Sequence, residues 1–145
     1  MDPEILVRGT GQARVLPDRA LVRVTVDGEG GSREEAYRQA EGLAAQVDRV
    51  VAAHAGAVDR TVTTALSVQP KTRWRRGESV RTGWRASRTT SLDVTDFARL
   101  GDLFADLVGA GGAVAGPYWQ VDPDNAVYDE ARRRAGADAR RRADA

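Results

Sequence analysis

Residues 71–88 hold the one constellation in this sequence that suggests a chemistry. Lys71, Arg73, Trp74, Arg75, Arg76, Arg81, Trp84, Arg85 and Arg88 interleave cations with two indoles. Guanidinium and ammonium groups hold phosphates, and an indole offers a base a face to stack on, so the stretch fits nucleic-acid or polyanion binding. The same side chains fit a protein contact, because exposed tryptophan and arginine anchor interfaces. Arginine supplies nearly all the positive charge, Lys71 being the only lysine, and alanine is abundant. Such a bias resembles that of a GC-rich genome, which lowers the weight of an arginine cluster as a functional sign. The candidate interaction surface is therefore Arg73, Trp74, Arg75, Arg76, Arg81, Arg85 and Arg88, with a protein partner preferred and nucleic acid the alternative.

No other residue set points to a reaction. The chain has no cysteine, which removes disulfides, thiolate metal sites and cysteine nucleophiles together. His54 is the lone histidine. It falls near the end of a predicted helix, close to the apolar stripe, and reads as a partly buried or helix-terminal side chain rather than a metal ligand or base. Gly9-x-Gly11 follows a strand candidate as a dinucleotide fingerprint would, but position 14 is Arg14 and no helix follows, so the pair reads as a turn. Asp18, Asp27, Glu29, Asp93 and Asp96 sit at strand ends and turns, where capping explains them without an acid–base pair. No catalytic residue, cofactor or metal is assigned, and the chain is read as a non-enzyme.

These groups need a scaffold, and its size is bounded by 145 residues with 41% hydrophobic and 30% charged side chains. That is an ordinary globular balance with room for one modest core, and residues 1–145 read as a single domain. A net charge of +1 argues against a protein that coats nucleic acid by its overall field. The first residues lack the basic start and the roughly 7 to 15 residue apolar core of a secretory signal. No apolar run approaches the roughly 20 residues of a membrane span. As written, the chain is expected in the cytoplasm, or in the periplasm or outside the cell if a signal has been removed.

The elements follow from periodicity. Ile5–Gly9 is a short strand candidate, and residues 20–27 alternate most cleanly, with Ala20, Val22, Val24 and Val26 on one face. Ser32 with Glu35 makes a capping box for a helix whose stripe is Ala36, Ala40, Leu43, Val47, Val50 and Val51, with Gly56 as its C-terminal cap. Residues 61–95 read as two strands. Val62, Thr64, Leu66 and Val68 share a face of the first; Trp84, Ala86, Thr90, Leu92 and Val94 share a face of the second. Pro70 ends the first strand, and the connection is too polar for a core and too long for a two-residue turn. Thr95 caps a second helix carrying Phe97, Leu100, Leu103, Phe104 and Leu107, which stops at Gly109. A strand near 113–121 follows, then a helix capped by Asp122 and Pro123 with Val127, Ala131 and Ala135 as a thin stripe beside two arginine triplets. The fold class is α+β, an antiparallel sheet with helices mainly on one face in the order β-β-α-β-β-α-β-α. Its expected core is Val22, Val24, Val26, Leu43, Val47, Leu66, Val68, Leu92, Val94, Leu100 and Phe104.

The sequence resembles the SIMPL domain family, whose function is unknown. The likeness runs from Val7-x-Gly9-x-Gly11 through Pro17-Asp18-x-Ala20, Glu35-Ala36, Leu66-Ser67-Val68-x-Pro70 and Gly83-Trp84-x-Ala86-Ser87. It continues to Gly116 with Trp119, Asp122-Pro123, and Asp138-Ala139 with Ala143. The resemblance implies an α+β fold and links to oxidative-stress defence, kinase interaction and self-assembly, and it offers no catalytic residue to carry over. Many bacterial members have a secretion signal, and members usually continue into further strand after the last helix. The domain is thus expected to be truncated at Ala145, with a sheet edge missing its neighbour. From that edge and the alanine face of the last helix, a homodimer is expected first and a larger ring second.

Overall fold

The computed structural model describes residue 4 and residues 6–145, which fall into two compact units, one of residues up to 18 with 121–145 and one of Arg19–Gln120. In the larger unit the elements are β1 (Arg19–Gly30), α1 (Arg33–Ala53), β2 (Val58–Arg75), β3 (Glu78–Val94), a 3-10 turn (Phe97–Arg99), α2 (Leu100–Gly109) and β4 (Ala113–Gln120). The strands form one antiparallel sheet in the order β2-β3-β1-β4, so the α+β architecture expected from periodicity is present.

The core forms where the alternation is cleanest. Ala20, Val22, Val24 and Val26 of β1 and Leu92 and Val94 of β3 are buried against Ala44 and Val47 of α1 and Leu103 and Leu107 of α2. Both helices therefore lie on one face of the sheet. Ser32 starts α1 by accepting the Glu35 N–H at 3.2 Å, while the Glu35 carboxylate accepts the Gly31 N–H at 3.0 Å. Along its N-terminal half, α1 carries Ala36 and Ala40 toward the sheet, and Gly28 of β1 backs onto them. A methyl group on Gly28 would stand 2.3 Å from both the Ala36 carbonyl oxygen and the Ala40 nitrogen. The helix can sit this close only because neither side contributes bulk.

Several expectations are corrected. Residues 6–9 form no strand, and Ile5 lies outside the described residues. Instead Gly9 and Gly11 press against α3 (Val127–Asp144) within the smaller unit, where a Cβ would lie 2.1 Å from the Ala135 oxygen and 2.3 Å from that of Ala131. The alanine stripe of α3 is thus covered by the chain's own glycines. Thr10 N–H donates to Asp138 there, and Asp18 accepts from Asp122 N–H and the Asn125 side chain. The last helix starts later than expected: Asp122 closes a turn by accepting Asp124 N–H, and Asn125 accepts from Val127 N–H. His54, not Gly56, ends α1, and Asp96, not Thr95, caps the turn before α2.

The largest correction concerns β2. Its pairing with β3 slips after Val58 and again after Thr63, leaving Asp59 and Thr64 as bulges. Each bulge reverses the alternation. Val62 consequently lies opposite Ser91 on the polar face, while Leu66 and Val68 lie opposite Arg88 and Ala86 on the helix face. Leu66 is 60% exposed and Val68 is exposed beside it, so neither belongs to the core. Leu43, Leu100 and Phe104 are only partly buried at its margin.

Candidate interaction surface

The Arg/Trp stretch is ladder rather than loop. β2 runs through Pro70 to Arg75 and β3 starts at Glu78, leaving Arg76 and Gly77 as a two-residue turn with φ of 51° and 78°. Two positive φ values suit the mirror-image turns that match the twist of a hairpin, and the glycine carries its share without strain. Pro70 does not end the strand because β2 is at the sheet edge, where a missing N–H on the outer side costs no ladder bond.

Pairing distributes the seven candidate residues over different surroundings. Arg73 and Arg75 stand opposite Val80 and Glu78, whereas Trp74 stands opposite Ser79 on the same face as Thr72 and Arg81. Trp74 is 73% exposed. The Arg81 guanidinium lies 5.4 Å from the Trp84 ring centroid and that of Arg33 lies 4.6 Å from it, and the indole packs on Ala36, Ala40 and Ala86. Arg85 bonds Glu29 at 3.2 Å, joined there by Lys71 at 2.9 Å. Arg88 reaches the opposite way, to Asp48 of α1 at 2.6 Å. Arg76 occupies the turn. The arginines gathered in sequence are thus dispersed in space, and two of them are already paired with carboxylates.

Sequence reasoning missed Glu29, Arg33 and Asp48 as members of this surface, since their partners are 40 to 56 residues away. Hydrogen bonds from Lys71 and then Arg85 hold the Glu29 carboxyl below its ordinary value of 4.5. A carboxyl lowered in the folded state adds stability that is complete above the unfolded-state value and is lost as pH falls through the folded one. Glu29→Gln should therefore lower the urea midpoint at neutral pH, and its gap from the parent protein should close as pH drops below 4.5. A gap that persists unchanged in acid would show that the charge is irrelevant.

His54 is buried at the C-terminus of α1, with Nε2 donating to Asp106 Oδ2 at 2.8 Å and Nδ1 facing Arg99 at 3.5 Å. It ties α1 to α2, as a helix-terminal histidine should. Among the described residues, no group of His, Asp and Glu is arranged to hold a metal, and no helix is long and apolar enough to cross a membrane.

A second exposed surface lies beside the ribbon. Leu66 joins Tyr37, Ala40, Glu41, Ala44 and Arg88 in lining a narrow groove between α1 and β2. Tyr37 is itself 41% exposed. Between Arg60 and Lys71 the edge strand carries no charge. That gap was visible in the sequence, but the edge position of β2, which leaves Leu66 and Val68 exposed beside this groove, was not.

The family model for SIMPL, protein of unknown function (DUF541), matches residues 5–145. No curated protein matches the sequence. Among solved structures, a hydantoinase/carbamoylase family amidase from Burkholderia ambifaria is similar at 18% identity and a TM-score of 0.38, over 70% of this chain. The chain spans 28% of that amidase's length, and a likeness this slight carries no argument about function.

Proposed function

The chain belongs to the SIMPL family, and on that premise we propose that it works without a reaction of its own, as an interaction and self-assembly module with a homodimer as its basic assembly. The observation that carries this reading is the outer edge of β2, an uncharged edge segment with Leu66 and Val68 exposed beside it. Soluble proteins ordinarily guard such an edge with charge, because its free N–H and C=O groups pair readily with another chain. Symmetric pairing of identical surfaces is the commonest way to satisfy one. Trp74 at the tip of the ribbon is the matching anchor for a different protein partner. A part in stress defence would follow from the family likeness alone.

Nucleic-acid binding is less well supported, because Arg85 and Arg88 are spent on Glu29 and Asp48, and Arg73 and Arg75 lie on the opposite face of the ribbon from Trp74 and Arg81. The two readings respond differently to salt. Phosphate contacts weaken steeply between about 50 and 200 mM salt, whereas an association through the uncharged edge segment has no ion contacts to screen and does not weaken. Sedimentation velocity should show a coefficient that rises with protein concentration and does not fall with salt, while a single-stranded oligonucleotide leaves the tryptophan fluorescence unchanged. Saturable, salt-sensitive quenching by the oligonucleotide with a concentration-independent coefficient would overturn the proposal.

A further inference from the structure

We infer that a second copy of this chain pairs antiparallel with the free edge of β2, about a two-fold axis through Ser67. The inference rests on the self-assembly reading above and supplies its register. Pro70 lies opposite Trp84 and has no N–H to give, so this pair is not a hydrogen-bonded one. Backbone groups alternate in direction along a strand, so those of Val68 and Leu66, two and four residues back, also point away from β3. The same alternation turns the Lys71 carbonyl toward β3, consistent with its acceptance of the Thr82 hydroxyl at 3.2 Å. Between the Thr64 bulge and Pro70, the outward donors and acceptors therefore belong to Leu66 and Val68.

A two-fold axis at Ser67 sets Leu66 of one copy against Val68 of the other, and Val68 against Leu66. Both become hydrogen-bonded pairs, each exchanging two N–H···O bonds, and Ser67 faces Ser67 in the closer pair between them. The side chains agree with the backbone. Leu66 and Val68 lie on the helix face and are exposed, so the two copies bring them together as one apolar block beside Tyr37. Neutral Ala65 and Gln69 flank it.

Charge selects the antiparallel direction. Lys71, Arg73 and Arg75 extend from one end of the uncharged window, and a parallel arrangement would set each against its own copy. In the antiparallel one the ribbon tips point apart, Arg75 lying eight residues from the axis, so the tips are separated by about 50 Å at roughly 3.4 Å per residue. An extended peptide from an unrelated protein would use the same edge but would not require this self-matching register.

Because the chain has no cysteine, Ser67→Cys provides a unique reporter. Closest paired residues bring their Cα atoms to about 4.5 Å, within disulfide reach. The Ala65 positions of the two copies stand about 14 Å apart in this register, so Ala65→Cys is the control. Under mild oxidation Ser67→Cys should yield covalent dimer while Ala65→Cys stays monomeric on a denaturing gel. In the cysteine-free chain, Val68→Lys should weaken dimerisation by about tenfold or more, as a charge on an edge does, and its circular dichroism should match the parent's. Equal cross-linking of both cysteine variants would overturn the register. A parent dimer that resists both Val68→Lys and cross-linking at residue 67 would overturn edge pairing while leaving self-assembly standing. A parent monomer would overturn both.

Discussion

Leu92→Ala should lower the free energy of unfolding by about 3 to 5 kcal/mol, while Leu66→Ala should change it by less than about 0.5 kcal/mol. The two positions look alike in sequence, each an aliphatic residue in an alternating strand. Leu92 has no exposed surface and is enclosed by β1 and both helices, so truncation leaves a cavity in a packed interior. Leu66 is 60% exposed and its truncation leaves nothing empty. Urea titrations of both variants, at protein concentrations low enough to keep the chain dissociated, separate the cases. Equal losses would mean that Leu66 is buried beneath α1 rather than exposed at the sheet edge.

Gly28→Ala should be as damaging as that core truncation, costing about 3 kcal/mol or more, although it adds only one methyl group. The added carbon would lie 2.3 Å from two backbone atoms of α1, which cannot swing aside as a side chain can. The helix must rise from β1, loosening Ala44 and Val47 above the core. Gly42 is the control on the same helix, since a methyl group there meets nothing within 4 Å. Gly42→Ala should instead stabilise by about 0.5 to 1 kcal/mol, because glycine is a poor helix former. Thermal melts should shift in opposite directions for the two substitutions. A neutral Gly28→Ala would show that α1 does not approach the sheet this closely.

What the sequence revealed, and what it hid, follows from how far each signal reaches. β1, the Ser32 cap and the end of α2 at Gly109 depend on neighbours a few residues away, and all stand where periodicity places them. The bulges at Asp59 and Thr64 depend on pairing with β3, and no local pattern announces them. The two reversals cancel, so Leu66 and Val68 keep the helix face expected of them and are exposed because β2 is the edge strand, beyond the core cluster. The ribbon misled in the opposite way. Its polarity suggested a loop, but a two-stranded ribbon with solvent on both sides needs no apolar alternation, and Arg76-Gly77 suffices as its turn. The Gly9-x-Gly11 pair read as a turn, whereas it makes room for a close approach. What it accommodates, the backbone of α3, is more than a hundred residues away.

Self-association is tested most directly by light scattering of the unmodified chain at tens of micromolar, at low and at high salt. The expected mass is twice the 15.6 kDa of one chain, undiminished by salt. A mass of 15.6 kDa at every salt and concentration would contradict it.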